Sequence, residues 1–100
     1  MDLNKFGKRA YKCALKRHKV YETNISEELH MSTIESVFSE ANEVKIASET
    51  ESSPHLPQYT EVAEELADVA IVALTELNRR GVDIEAILHE KMKYNEQRAD

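Results

Sequence analysis

The sequence has a single cysteine, two prolines, two glycines and no tryptophan in 100 residues. A lone Cys13 closes no intrachain disulfide, so a cytoplasmic location is the default expectation, and Cys13 itself reads as a plain helix residue among basic neighbours. With so few Pro and Gly the chain lacks the punctuation of a turn-rich β fold. It also lacks any run of 18 or more apolar residues, and no apolar segment follows the basic N-terminus. The expectation is neither a membrane span nor a secretory signal. What remains, 41% hydrophobic and 32% charged residues, suits one soluble domain over residues 1–100.

Positive charge is scarce outside the first twenty residues. Lys5, Lys8, Arg9, Lys12, Lys16, Arg17 and Lys19 stand there against Asp2 alone, whereas residues 21–90 hold most of the nineteen acids against Lys45, Arg79 and Arg80. The net charge of −6 opposes long-range steering of a polyanion, so nucleic acid is not the expected partner. The basic segment could touch a phosphorylated ligand, or it could simply offset the acidic body.

Apolar residues recur with a 3.6-residue period, which predicts an all-α chain of four helices. Leu3, Phe6, Ala10, Cys13 and Ala14 mark the first, over residues 3–19. Residues 20–24 connect it to a second helix capped by Asn24 with Glu27 or by Ser32 with Glu35, which runs to about Glu51. Residues 25–31 are either its first turns or a separate short helix. The stretch from Glu51 to Pro57 carries two prolines and is a loop. A third helix opens near Thr60, with Glu61, Glu64 and Glu65 in its first turns, and closes with Arg79 and Arg80 before Gly81. Asp83 caps a fourth, through about Gln97.

Two acidic motifs lie on these helices: Glu40-Ala-Asn-Glu43 and, after 21 intervening residues, Glu65-Leu-Ala-Asp68. Residues i and i+3 share a helix face, so each motif aims two carboxylates one way. Antiparallel packing of the two helices would gather all four. Carboxylates that close repel unless a hard divalent cation neutralises them, and the absence of His and Cys from both motifs favours Mg2+ or Mn2+ over Zn2+. Such motifs arise by chance in acidic chains, and most charged helix positions face water. Position argues for more here. Glu61, Glu65 and Asp68 flank the apolar stripe of Leu66, Val69, Ala70, Ala73 and Leu77, and Glu40 borders that of Ile34, Val37, Phe38, Ala41 and Val44, with Glu43 further round.

Residues 69–74, Val-Ala-Ile-Val-Ala-Leu, are apolar on every side. A second face must be covered, and a homodimer built around the third helix is the simplest cover. On the last helix Lys91, Asn95 and Arg98 share a face and offer donors suited to phosphate oxygens.

The order and spacing of Glu40-x-x-Glu43, Glu65-x-x-Asp68 and Lys91-x-x-x-Asn95-x-x-Arg98 resemble the MazG-like all-α nucleoside triphosphate pyrophosphohydrolases, over residues 34–98. That superfamily includes dimeric dUTPases, dCTP pyrophosphatases and phosphoribosyl-ATP pyrophosphohydrolases. The resemblance implies a four-helix MazG-like bundle assembled as a dimer or tetramer. It also implies Glu40, Glu43, Glu65 and Asp68 as catalytic ligands of Mg2+ (or Mn2+), and Lys91, Asn95 and Arg98 as nucleotide contacts. Many relatives stack Trp on the base, and this chain has none, so Tyr21, Tyr59, Phe6 or His18 would have to serve. The expected activity is Mg2+-dependent hydrolysis of an NTP or dNTP to the monophosphate and pyrophosphate. The alternatives are phosphoribosyl-ATP as substrate, or a non-catalytic helical module whose acids face solvent or bind a cation structurally.

Overall fold

The computed structural model describes residues 1–99. Helix α1 spans Leu3–Lys16, α2 Ser26–Ile46, α3 Glu61–Arg79 and α4 Ile84–Gln97. Among the described residues there is no strand, only one isolated antiparallel bridge between Ser52 and Thr60. Among the described residues no helix is long and apolar enough to cross a membrane.

Helix α1 stops three residues before the expected Lys19, because His18 takes a left-handed conformation at φ 58°. The amides of His18 and Lys19 close the turn onto the carbonyls of Leu15 (3.1 Å) and Ala14 (2.9 Å). Val20, just beyond, is buried. Helix α2 is continuous from Ser26, so residues from 26 onward are its first turns, and neither Asn24 nor Ser32 caps it. Thr23 Oγ1 instead accepts from the Ile25 amide at 3.1 Å, and Glu27 and Glu28 supply negative charge in the first turn. Its C-terminus falls at Ile46 rather than near Glu51. The Ser48 hydroxyl accepts from the amides of Thr50 (3.2 Å) and Glu51 (3.0 Å), a local competitor that ends the helical hydrogen bonding. Asp83 caps α4 as expected, its Oδ1 accepting from the Ala86 amide, and α3 opens at Thr60, whose Oγ1 accepts from the Ala63 amide. Gly81 supplies the positive φ of 68° that leaves α3.

Helix α3 is central and packs against α1, α2 and α4, whereas α1 and α2 do not pack on one another. Helices α2 and α3 are antiparallel: Thr33 meets Glu76 at one end, and the Ser48 amide meets Glu61 at the other. Gly7 lets α1 approach closely, since a Cβ there would overlap Ile84 Cδ1 and lie 3.3 Å from the Leu74 carbonyl oxygen. Ile84 is completely buried beneath that contact. The start of α1 is tied to the start of α4 by Asn4, whose amide group donates to Asp83 (3.0 Å) and accepts from the Ile84 amide (2.7 Å).

The two stripes identified in the sequence are not the centre of the core. Leu66, Ala70 and Ala73 on α3, and Val37, Phe38 and Ala41 on α2, are exposed, Phe38 at 70%. The faces turned toward each other are more polar, so a single chain leaves these stripes uncovered.

Candidate metal and phosphate site

A cavity of about 760 Å³ lies between α1 and α2, over α3. Its acidic end is built from both sequence motifs. Glu40 on α2 and Glu65 and Asp68 on α3 are each half-buried, and one carboxylate oxygen from each lies within 4.8 Å of the others. Antiparallel pairing of α2 and α3 produces this juxtaposition, since it sets the second half of α2 beside the first half of α3. Glu43, one turn beyond Glu40, lines the same cavity, stays exposed and is outside the trio.

Burial raises the pKa of Glu40, and the Asp68 and Glu43 charges raise it further, while Lys19 and Arg17 pull it back. Glu65 is also raised, by burial first and then by Asp68, Glu64, Glu43 and Glu40. In both, burial is the larger cause and repulsion among the neighbouring carboxylates adds to it. With one oxygen from each acid within 4.8 Å of the others, Glu40, Glu65 and Asp68 would be the residues to hold one small divalent ion. An all-oxygen donor set suits Mg2+ or Mn2+ and fits the group the motifs imply.

Next to this trio stands a pinned loop. Ser53, 1% exposed, accepts from the amides of His55 and Leu56 (both 3.1 Å) and donates a short hydrogen bond to Glu64. The other Glu64 oxygen lies 3.2 Å from His55 Nδ1. The Ser53 hydrogen bond, followed by that of His55, holds the Glu64 carboxyl below its usual range. Glu64 and His55 both line the cavity. Glu64 shares a helix face with Asp68 four residues on, but His55 could not be placed there from helical periodicity, because the loop that carries it has no period.

The opposite end of the cavity holds a second unanticipated network. Buried Glu76 receives both Arg79 (3.1 and 3.2 Å) and Arg80 (3.4 Å), and accepts from the Thr33 hydroxyl. Arg79 also donates to the Ser32 hydroxyl and the Tyr21 carbonyl, each at 3.0 Å. The arginines that the sequence assigns to the helix C-terminus therefore stitch α3 to α2 and to the connector before it. Tyr21 lines the cavity, whereas Tyr59, Phe6 and His18 do not.

Within one chain Lys91, Asn95 and Arg98 are not brought to the acids. All three are exposed, Lys91 and Asn95 on α4 and Arg98 at its extended C-cap; α4 packs on α1 and α3, and none of the three lines the cavity. Lys91 Nζ sits 4.8 Å from the centre of the Tyr94 ring, with the Arg98 guanidinium 5.7 Å from the same ring and hydrogen-bonded to Asn95 Oδ1 at 3.3 Å.

The chain matches the family described as phosphoribosyl-ATP pyrophosphohydrolase over residues 8–95. No curated protein and no solved structure matches it.

Proposed function

Because this chain belongs to the phosphoribosyl-ATP pyrophosphohydrolase family, within the MazG-like superfamily, we propose that it hydrolyses a nucleotide triphosphate group to the monophosphate and pyrophosphate with Mg2+ as cofactor. The carrying observation is the convergence of Glu40, Glu65 and Asp68 within 4.8 Å inside a cavity. A bound Mg2+ would draw charge from the phosphate oxygens and make a nearby water a better nucleophile. Glu40, Glu65 and Asp68 hold that cation. Glu43, on the same wall but outside the trio, leaves a carboxylate to take the proton from the attacking water. The cavity lies within the range of small-molecule sites, about 300–1,000 Å³.

The family match favours phosphoribosyl-ATP over a simple NTP or dNTP as substrate. Pyrophosphate release should be measured with Mg2+ and phosphoribosyl-ATP, then with the NTPs and dNTPs. Release from phosphoribosyl-ATP in preference to the others supports the assignment. Release from none of them leaves the non-catalytic module as the better reading.

The assembly belongs to the same proposal. Exposed Val37 and Phe38 on α2 and Leu66, Ala70 and Ala73 on α3 support a homo-oligomer, since a second copy would bury them on both partners at once. In that assembly Lys91, Asn95 and Arg98 would reach a nucleotide only by a route that a single chain does not provide.

A further inference from the structure

We propose that Arg17 and Lys19, on the turn that ends α1, form the anion-binding wall of the cavity and hold a polyphosphate chain against the carboxylates of Glu40, Glu65 and Asp68. This rests on the hydrolase reading above and adds the protein groups that bind the phosphates.

Three observations carry it. Both residues line the cavity that contains the acidic trio of Glu40, Glu65 and Asp68. Four other cations of this basic segment, Lys5, Lys8, Arg9 and Lys12, border a separate shallow surface. Second, the backbone is committed to this placement. His18, between the two cations, holds φ 58°, a conformation uncommon for a residue with a side chain, and buried Val20 anchors the far side of the turn. Third, the charge is available. Arg79 and Arg80 are engaged by Glu76 and His55 by Glu64, whereas among the described residues neither Arg17 nor Lys19 makes an ion pair or a side-chain hydrogen bond.

The electrostatics require such a wall. Three ionised carboxylates with one divalent cation still carry net negative charge, with Glu43 and Glu35 also on the cavity lining. A polyanion entering this space needs positive charge from the protein beyond that of the cation. Arg17 offers a planar fork that matches two phosphate oxygens, and Lys19 a compact charge that adapts to a third.

The test uses inorganic tripolyphosphate with Mg2+, titrated calorimetrically into the full-length protein, and Mn2+ alone, followed by electron paramagnetic resonance. Arg17→Ala and Lys19→Ala should each weaken tripolyphosphate binding roughly tenfold or more. Both should keep wild-type or tighter Mn2+ affinity, because a cation that repels Mn2+ has been removed from the cavity wall. Arg17→Lys should recover part of the loss, and Lys8→Ala should bind as wild type. Wild-type tripolyphosphate affinity in both alanine variants, or a parallel loss of Mn2+ binding, overturns the assignment of these two residues while leaving the hydrolase reading in place. Failure of the wild type to bind Mn2+ overturns both.

Discussion

Glu40 on α2 and Asp68 on α3 each bring a carboxylate oxygen within 4.8 Å of the other and of Glu65, and among the described residues neither acid has a cationic ion-pair partner within 4 Å. The metal-free protein therefore stores repulsion at this point. The raised pKa values of Glu40 and Glu65 are its signature, with Asp68 the largest charge contribution to each after burial.

Asp68→Asn should lower the titration midpoints of both Glu40 and Glu65, read by NMR of the side-chain carboxyl carbons. The linkage has a definite sign. A carboxyl whose folded pKa is raised costs stability above that pKa, and the cost disappears as pH falls below the unfolded value. From these two groups, metal-free wild type should gain stability as pH is lowered toward the carboxylate range, and Asp68→Asn should gain less. Unchanged midpoints in Asp68→Asn would separate the three carboxylates.

Glu76 is the opposite case, a buried acid with its partners in place. Glu76→Ala would strand Arg79, whose side chain is 3% exposed, and should cost about 3–5 kcal/mol in urea denaturation. A loss below about 1 kcal/mol would mean that the network is not closed in solution.

The sequence already carried much of this. Two ExxE/D motifs at helical spacing foretold the gathering of Glu40, Glu65 and Asp68, because an antiparallel helix pair converts that spacing directly into proximity. Asp83 was legible as the cap of α4, and Thr60 as the point near which α3 opens, for the same local reason. The termination of α1 at His18 was not, since a left-handed non-glycine residue has no sequence signature. Nor was the early end of α2, which depends on Ser48 reaching its own loop and on Glu61 across the chain. The apolar segment of α3 was recognised, but not which way it faces: Ile71 and Val72 line the cavity, and Leu66, Ala70 and Ala73 point away from the packed side.

That orientation makes a specific prediction for assembly. Light scattering at micromolar concentration should report at least a dimer for the wild type. Leu66→Glu or Phe38→Glu should shift it toward monomer, because a charge would be buried unpaired in the interface while remaining solvated in the free chain. A wild type that is already monomeric would leave these side chains as ordinary exposed residues.

The central claim, that the acidic trio is a cation site, is tested most directly by thermal melts of the wild type, Glu65→Gln and Asp68→Asn, each with and without Mg2+. Without metal, both variants should melt no lower than wild type, since each removes one of three mutually repelling charges. Mg2+ at about 100 times its Kd should stabilise the wild type by about 2.7 kcal/mol and should stabilise the variants much less, because it binds the folded site that they have lost. Variants that melt lower without metal, together with an equal Mg2+ shift in all three proteins, would contradict the account.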